Sequence, residues 1–424
     1  MHLTLKELET IRQHILWFSQ AESEVCVILD SNAQNSAFNL DRYSFIAGWG
    51  FKYHSHINDE NAIINMGNFI SSHKGEWILG YIGYDIKNDI ENLSSDNKDL
   101  LNWPRLFFFV PNNLIVVDSS LKVLIGHALI YEILGNNKTK QELDTIDLFS
   151  IKHDVDINTY IKNVEAIKEH IKNGDIYELN YCIELYSTQV RICPKSVYER
   201  LMQVSPTPFS CFVRLSDKYL LCASPERFIS KQGTKIYSQP IKGTAPRDLD
   251  LQIDNRNKDL LLLSEKEKAE NLMIVDLVRN DLAKTAVIGS VEVNELFGIY
   301  SFSQVHQMIS TVSATLDLNN RIDTAIINAF PMGSMTGAPK IKAMELIEFY
   351  ENTKRGLYSG SVGYISPEQD FDFNVVIRAI QYNATNEYLS IMVGSAITYD
   401  SIGEEEYKEC MLKAKSMLNA LIYK

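Results

Sequence analysis

The segment YSQPIKGTAPRD, residues 237 to 248, places Lys242 between Pro240-Ile241 and Gly243-Thr244. Proline fixes φ and glycine permits a sharp bend, so this lysine is held in place. A confined, partly desolvated lysine has a depressed pKa and can act as an amine nucleophile. The same residue also reads as a solvated turn. Two further segments carry Glu-x-x-Glu: Glu267 and Glu270 in EKAE, and Glu406 and Glu409 in EYKE. A spacing of three puts each pair on one helix face. Glu270 leads into the apolar run from Leu272 to Val278, and Glu409 sits beside Met411 and Leu412. Uncompensated charge at the edge of a buried face is costly. If the two helices meet, the carboxylates make a hard oxygen site suited to Mg²⁺; if they stay apart, they are two solvated faces.

Three more side chains stand out by context. Arg378 lies in the apolar strand pattern FNVVIRAIQ, where a permanent charge demands an anion, from a salt bridge or from a ligand. His306 alternates with apolar residues in SQVHQMISTV, as a core histidine does. Glu226 follows a strand in SPERF and is either a partner of Arg227 or a free acid. Residues 331 to 364 are dense in glycine, which lets backbone approach a ligand closely. GSMTGAPK is not a phosphate-cradling loop: it lacks GxxxxGK[ST], and Pro339 removes a needed N–H.

The elements that must position these groups follow from periodicity and turn residues. The pattern predicts helices over about 264–284, 339–351 and 403–421, and an amphipathic helix ending at Gly174. Strands are predicted at 24–32, 42–53, 105–117, 121–131, 181–192, 209–215, 219–223, 235–239, 359–366, 371–382 and 388–398. Strands and helices do not alternate regularly, so the class is α+β. The polar stretch 135–156 is the best boundary, dividing an N-terminal region, 1–145, from a second unit, 155–424.

The chain has 424 residues, enough for one large or two ordinary domains. Its formal net charge of −13 lacks the basic footprint of a nucleic-acid binder, and an anionic substrate would need local cations or a metal. The six cysteines form no CxxC or zinc-type spacing and read as reduced thiols of a cytoplasmic protein. The N-terminal segment lacks a signal-peptide pattern, and no apolar run approaches the ~18 residues of a membrane span.

Taken in order, GDIYELN, SPERF, PIKGTAPR, AENLMIVDLVRNDL, VHQMISTV, FPMGSMTGAPKIKAMELIE, RGLYSGSVGY, FNVVIRAI and EEEYKECMLKA resemble the chorismate-utilising enzymes from about residue 160 to 418. ILDS with RYSFIAG, residues 28 to 47, matches their N-terminal part more loosely. The resemblance implies two large, mainly antiparallel sheets packed as a sandwich, with helices outside and the active site in a cleft. It implies Mg²⁺ holding the ring carboxylate of chorismate through Glu270 and Glu409, with Glu267 and Glu406 in support. Arg378 and Tyr358 would bind the enolpyruvyl carboxylate, helped by backbone around Gly394. Thr244, Thr336 and His306 would lie near the substrate, His306 toward the departing 4-hydroxyl, and Glu226 matches the general acid.

Lys242 resembles the lysine of the aminodeoxychorismate synthase component I branch. There it is thought to attack carbon 2 before ammonia attacks carbon 4. Anthranilate synthases usually carry alanine at that position. The resemblance implies 4-amination of chorismate in p-aminobenzoate and folate synthesis. The alternatives are an anthranilate synthase or a non-catalytic chorismate-binding homologue. With no glutaminase-type nucleophile motif in the sequence, ammonia would come from a separate glutamine amidotransferase subunit. Two departures bear on the site. Glu178 stands where isochorismate and salicylate synthases carry a water-activating lysine and many other relatives carry glutamine. Ala396 replaces a glycine that faces the substrate carboxylate.

Overall fold

The N-terminal helix Leu5–Glu22 begins at a reciprocal cap. The Thr4 hydroxyl accepts from the Glu7 N–H while the Glu7 side chain returns to Thr4. Its buried residues, among them Leu8, Ile11 and Ile15, pack with Trp49, Tyr160 and the closing helix Gly403–Leu421 in one large core. The computed structural model describes residues 1–32, 34, 40–55, 61–135, 150–302 and 305–422.

The α+β class holds. Among the described residues every ladder between strands is antiparallel, and the ladders join edge to edge into one network of 19 strands. Long central strands alternate in short sequence hops and long returns. Glu178–Thr188 pairs with Tyr388–Ile397 and, at its start, with Gly337–Ala338. Two early strands find late partners: Val25–Asp30 lies against Phe209–Leu215, and Ile78–Ile82 against Ser361–Ile365. The boundary expected between 1–145 and 155–424 falls largely at 136–149, outside the described residues.

The long helix Glu265–Ala283 lies over a second core. Ile274, Val275 and Val278 face Met332, Met335, Tyr358 and Phe373 there. Burial of such side chains stabilises by about 1.5–3 kcal/mol each, which fixes the helix on its face. Three predictions need correction. The expected strand 121–131 is a strand only over Val123–Ile125 and turns at Gly126 into the helix His127–Gly135. The expected strand 371–382 is two strands, Phe371–Asn374 and Ala379–Asn383. Arg378 therefore sits at the break and not in a strand, with φ of 52° in the left-handed region. Such backbone is uncommon for a residue with a Cβ and clusters at functional sites.

Candidate active site

Each glutamate pair spans the first two turns of its helix. Ser264 caps Glu265–Ala283 by accepting from the Glu267 N–H, which sets the phase that places Glu267 and Glu270. Helix Gly403–Leu421 opens with Glu404, Glu405 and Glu406, charges that suit the positive end of its dipole. The two helix starts face one another: the Lys266 ammonium stands 3.8 Å from Glu270 and 3.9 Å from Glu406. Glu406 also accepts from the Ser401 hydroxyl at 2.8 Å, and Glu409 pairs with Lys413 at 2.6 Å.

Carboxylate crowding is visible in the protonation of the group. Burial pushes Glu270 up to about 7 against the pull of Lys242, and it raises Glu267 as well. Burial would also raise Glu409, but Lys413 holds it below the usual carboxylate range. Among the described residues no three Asp, Glu, His or Cys side chains stand close enough together to hold a metal ion. The chemistry of the four side chains, though not their present spacing, suits a hard divalent cation. The set is all carboxylate, it comes from two helices, and it already gathers a cation in Lys266, whose side chain is 53% exposed and free to leave.

Lys242 lies on the short strand Ile241–Pro246, paired with Val305–Thr315. The ladder slips between Ile241 and Thr244, where Gly243 has φ of 94°. A side chain at Gly243 would meet a Glu267 oxygen at 3.0 Å, so this glycine brings the Lys242 strand against the glutamate helix. The lysine side chain is only 11% exposed, and its Nζ donates to Glu178 Oε1 at 2.6 Å. It is a directed, buried amine and not a turn residue. The expected depression of its pKa is not what this arrangement gives. Burial does push it down, but Glu178 and Glu270 outweigh that and hold it above the usual lysine range.

Glu226 follows strand Lys218–Ser224 and is fully buried. Its Oε1 accepts from the Ser334 hydroxyl at 2.8 Å. Burial pushes its pKa up to about 7, with Ser334 and Lys242 opposing. A carboxyl poised near neutrality is what proton donation requires. Arg227 beside it pairs with Asp372 at 2.8 Å and Asp41 at 2.9 Å.

Arg378 forms no ion pair among the described residues. Burial lowers its pKa, with Tyr358 and Glu409 the groups that pull it back. Tyr358 is buried in the second core, and burial raises its phenol well above the usual range. The remaining candidates have local partners. His306 is held at both ring nitrogens, by Asp254 at 3.0 Å and Ser301 at 2.8 Å. Asp254 is held below the usual range first by its hydrogen bond from Arg247. Thr244 is exposed two residues beyond Lys242. The buried Thr336 hydroxyl donates to the Met332 carbonyl at 3.0 Å, closing its own turn. Gly394 lies against Cys182, whose sulfur would stand 2.5 Å from an added Cβ, and its carbonyl accepts from Lys413 at 2.8 Å.

Lys266, Lys413, Ser334 and the pairing of Glu178 with Lys242 were not singled out from sequence. The first two carry a signal, since each stands four residues from a site glutamate, a spacing that pairs charges on a helix. Ser334 and Glu178 carry none, because their partners are distant in sequence.

Carboxylates from two helix starts, a buried amine and a neutral-range acid thus lie within one another's field, with Arg378 near Glu409 and without an ion-pair partner among the described residues. Comparison gives the class directly: the sequence profile of chorismate binding enzymes matches residues 12–419, and the chain belongs to that family. Within it, the chain is 34% identical over 366 residues to aminodeoxychorismate synthase component 1 of Bacillus subtilis, covering 81% of this chain and 76% of that one. It is 33% identical over 344 residues to anthranilate synthase component 1 of Saccharolobus solfataricus, covering 81% and 80%. The crystal structure of anthranilate synthase component I from Streptococcus pneumoniae superposes with a TM-score of 0.76 at 26% identity, covering 89% of this chain and 92% of that one.

Proposed function

We propose that this chorismate-binding enzyme aminates chorismate at carbon 4, as component I of an aminodeoxychorismate synthase. The observation that carries the reading is Lys242: a buried amine aimed into the carboxylate-walled cleft, 2.6 Å from Glu178 and within the field of Glu226 and Glu270. Arg378, charged and without an ion-pair partner among the described residues, takes a substrate carboxylate, with Tyr358 beside it. Lys242 as amine attacks carbon 2 while the C4–O bond breaks, and Glu226 gives its proton to the departing hydroxyl, which leaves as water. Ammonia then attacks carbon 4 and the C2–N bond to Lys242 breaks. Glu226 takes a proton from the new ammonium and is restored. His306, held by Asp254 and Ser301, fixes the wall beside the Lys242 strand.

Glu267, Glu270, Glu406 and Glu409 are the residues that would hold Mg²⁺, displacing Lys266. The ion would supply charge for the ring carboxylate in a protein of net charge −13. Ammonia comes from a separate glutamine amidotransferase, in keeping with the "component 1" names of the relatives. The six unpaired cysteines suit the reducing cytoplasm. No helix among the described residues is long and apolar enough to cross a membrane.

The test is product identity. Purified chain with chorismate, ammonium and Mg²⁺ is expected to yield 4-amino-4-deoxychorismate, identified by mass and by chromatography. Anthranilate as the sole product, detected by its fluorescence, overturns the reading in favour of the branch represented by the S. solfataricus relative.

A further inference from the structure

Glu178 opens the strand Glu178–Thr188, and its backbone is locked there. Ala338 is its ladder partner, and Gly337 packs so closely that an added Cβ would stand 2.2 Å from the Glu178 carbonyl oxygen. Its side chain is fully buried. One carboxylate oxygen holds Lys242 at 2.6 Å, while Oε2 has no hydrogen-bond partner among the described residues. An unpartnered buried acceptor is costly, so its presence calls for a reason. The charged groups facing Lys242 are Glu178, then Glu267 and Glu270 from one helix, Glu409 from the other, and Glu226. Of these, Glu178 is the one in hydrogen-bond contact with the amine.

We propose that Glu178 is the positioning residue and internal proton acceptor of Lys242. It aims the side chain, and takes one proton from the ammonium so that the neutral amine attacks carbon 2. The inference rests on the reading of Lys242 as nucleophile. The step balances. The ammonium and carboxylate become amine and carboxylic acid. The amine bonds to carbon 2 as water leaves carbon 4 with the Glu226 proton. When ammonia displaces the lysine, the amine departs neutral and takes its proton back from Glu178. No group has to move, because the proton crosses an existing 2.6 Å contact. With no donor on Oε2 among the described residues, the carboxylate lacks a second stabilising hydrogen bond and the more readily takes the lysine proton. Glutamine at this position would orient the lysine and could take no proton, leaving deprotonation to solvent.

The experiment withholds ammonia and follows, by intact mass after rapid mixing with Mg²⁺ and chorismate, the adduct on the peptide containing Lys242. Wild type, Glu178→Gln and Glu178→Asp are compared between pH 6 and 8.5. The ratio of the Gln variant's rate to the wild-type rate cancels any titration common to both, that of Glu226 included. The expected result is a Gln variant about a hundredfold slower at pH 6.5, recovering about tenfold per pH unit as its lysine loses the proton to solvent. The Asp variant, which keeps a base, should follow the wild-type profile at a lower rate. A ratio that does not change with pH, or an Asp variant behaving as Gln does, overturns the proposal. Chorismate binding and thermal melting of each variant check that the site is intact. A wild type that forms no adduct and a Lys242→Ala variant that keeps full 4-amination sink the nucleophile reading, and this inference with it. An adduct with a flat ratio sinks this inference alone.

Discussion

As the proposed acid, Glu226 makes the first substitution pH-sensitive in a defined direction. Its carboxyl is buried, accepts from Ser334 at 2.8 Å, and is pushed up to about 7. The departing hydroxyl needs the protonated form, so the acid is almost fully loaded at pH 6. It is about half loaded at pH 7 and about one-hundredth loaded at pH 9. Adduct formation on Lys242, measured in single turnover without ammonia, reports this step free of the titration of ammonium. Its rate is expected to hold below pH ~6.5 and to fall about tenfold per unit well above 7. Glu226→Gln keeps the shape and the contact to Ser334 but has no proton to give. It should lower the rate by roughly 10²–10⁴, or about 3–5 kcal/mol in barrier, and abolish the falling limb. Chorismate affinity should change little, since proton donation develops only in the transition state. Ser334→Ala removes a hydrogen bond that favours the ionised form and should move the limb to higher pH. A wild-type rate flat from pH 6 to 9, or a Gln variant within tenfold of wild type, refutes Glu226 as the acid.

Turnover should need Mg²⁺ and be lost on EDTA treatment, as should the adduct. Activity that survives chelation would leave the four glutamates paired only with Lys266 and Lys413. The purified chain should use ammonium and not glutamine, with a rate per total ammonium that first rises with pH. Adding a glutaminase partner should confer glutamine use, whereas glutamine-dependent synthesis by the chain alone would refute the two-subunit scheme. Asp154 lies outside the cleft, and burial pushes it up to about 7, with Glu184 and Glu351 adding repulsion. An acid whose folded pKa is raised binds its proton in the native state after the unfolded chain has released it, so stability falls as pH rises from about 4 to 7. The expected loss is about 2–4 kcal/mol. Asp154→Asn can keep the contact to the Glu184 N–H and should gain on wild type across that window in urea titrations; a constant difference would refute it.

The features legible in sequence are those written locally. The pattern places helices at 264–284 and 403–421, where Glu265–Ala283 and Gly403–Leu421 lie, because apolar spacing and glutamate pairs fall within a few turns. That these helix starts face each other was only a conditional inference from their shared pattern; Lys266 makes it a contact. The Lys242–Glu178 pair was not legible, since it joins residues 64 apart through two strands that never pair directly. Residues 127–131 read as strand in sequence because the aliphatic run is ambiguous by period; after the turn at Gly126, with φ of 91°, they open the helix His127–Gly135. The break at Arg378 is a backbone conformation that its apolar neighbours do not announce.

The ladders between early and late strands set a schedule for the chain as it is made. Ile82, in the first fifth of the sequence, has its partner Ser361 in the last fifth, and Val25–Asp30 waits for Phe209–Leu215. A growing polypeptide therefore carries Val-, Ile- and Phe-rich edges out of the ribosome long before their mates exist, the condition in which unpaired strands aggregate. The glutamate pairs inherit the same delay, for Gly403–Leu421, which carries the second pair, follows every described strand in sequence. The glutamate pairs therefore cannot be brought together before the start of Gly403–Leu421 has been made.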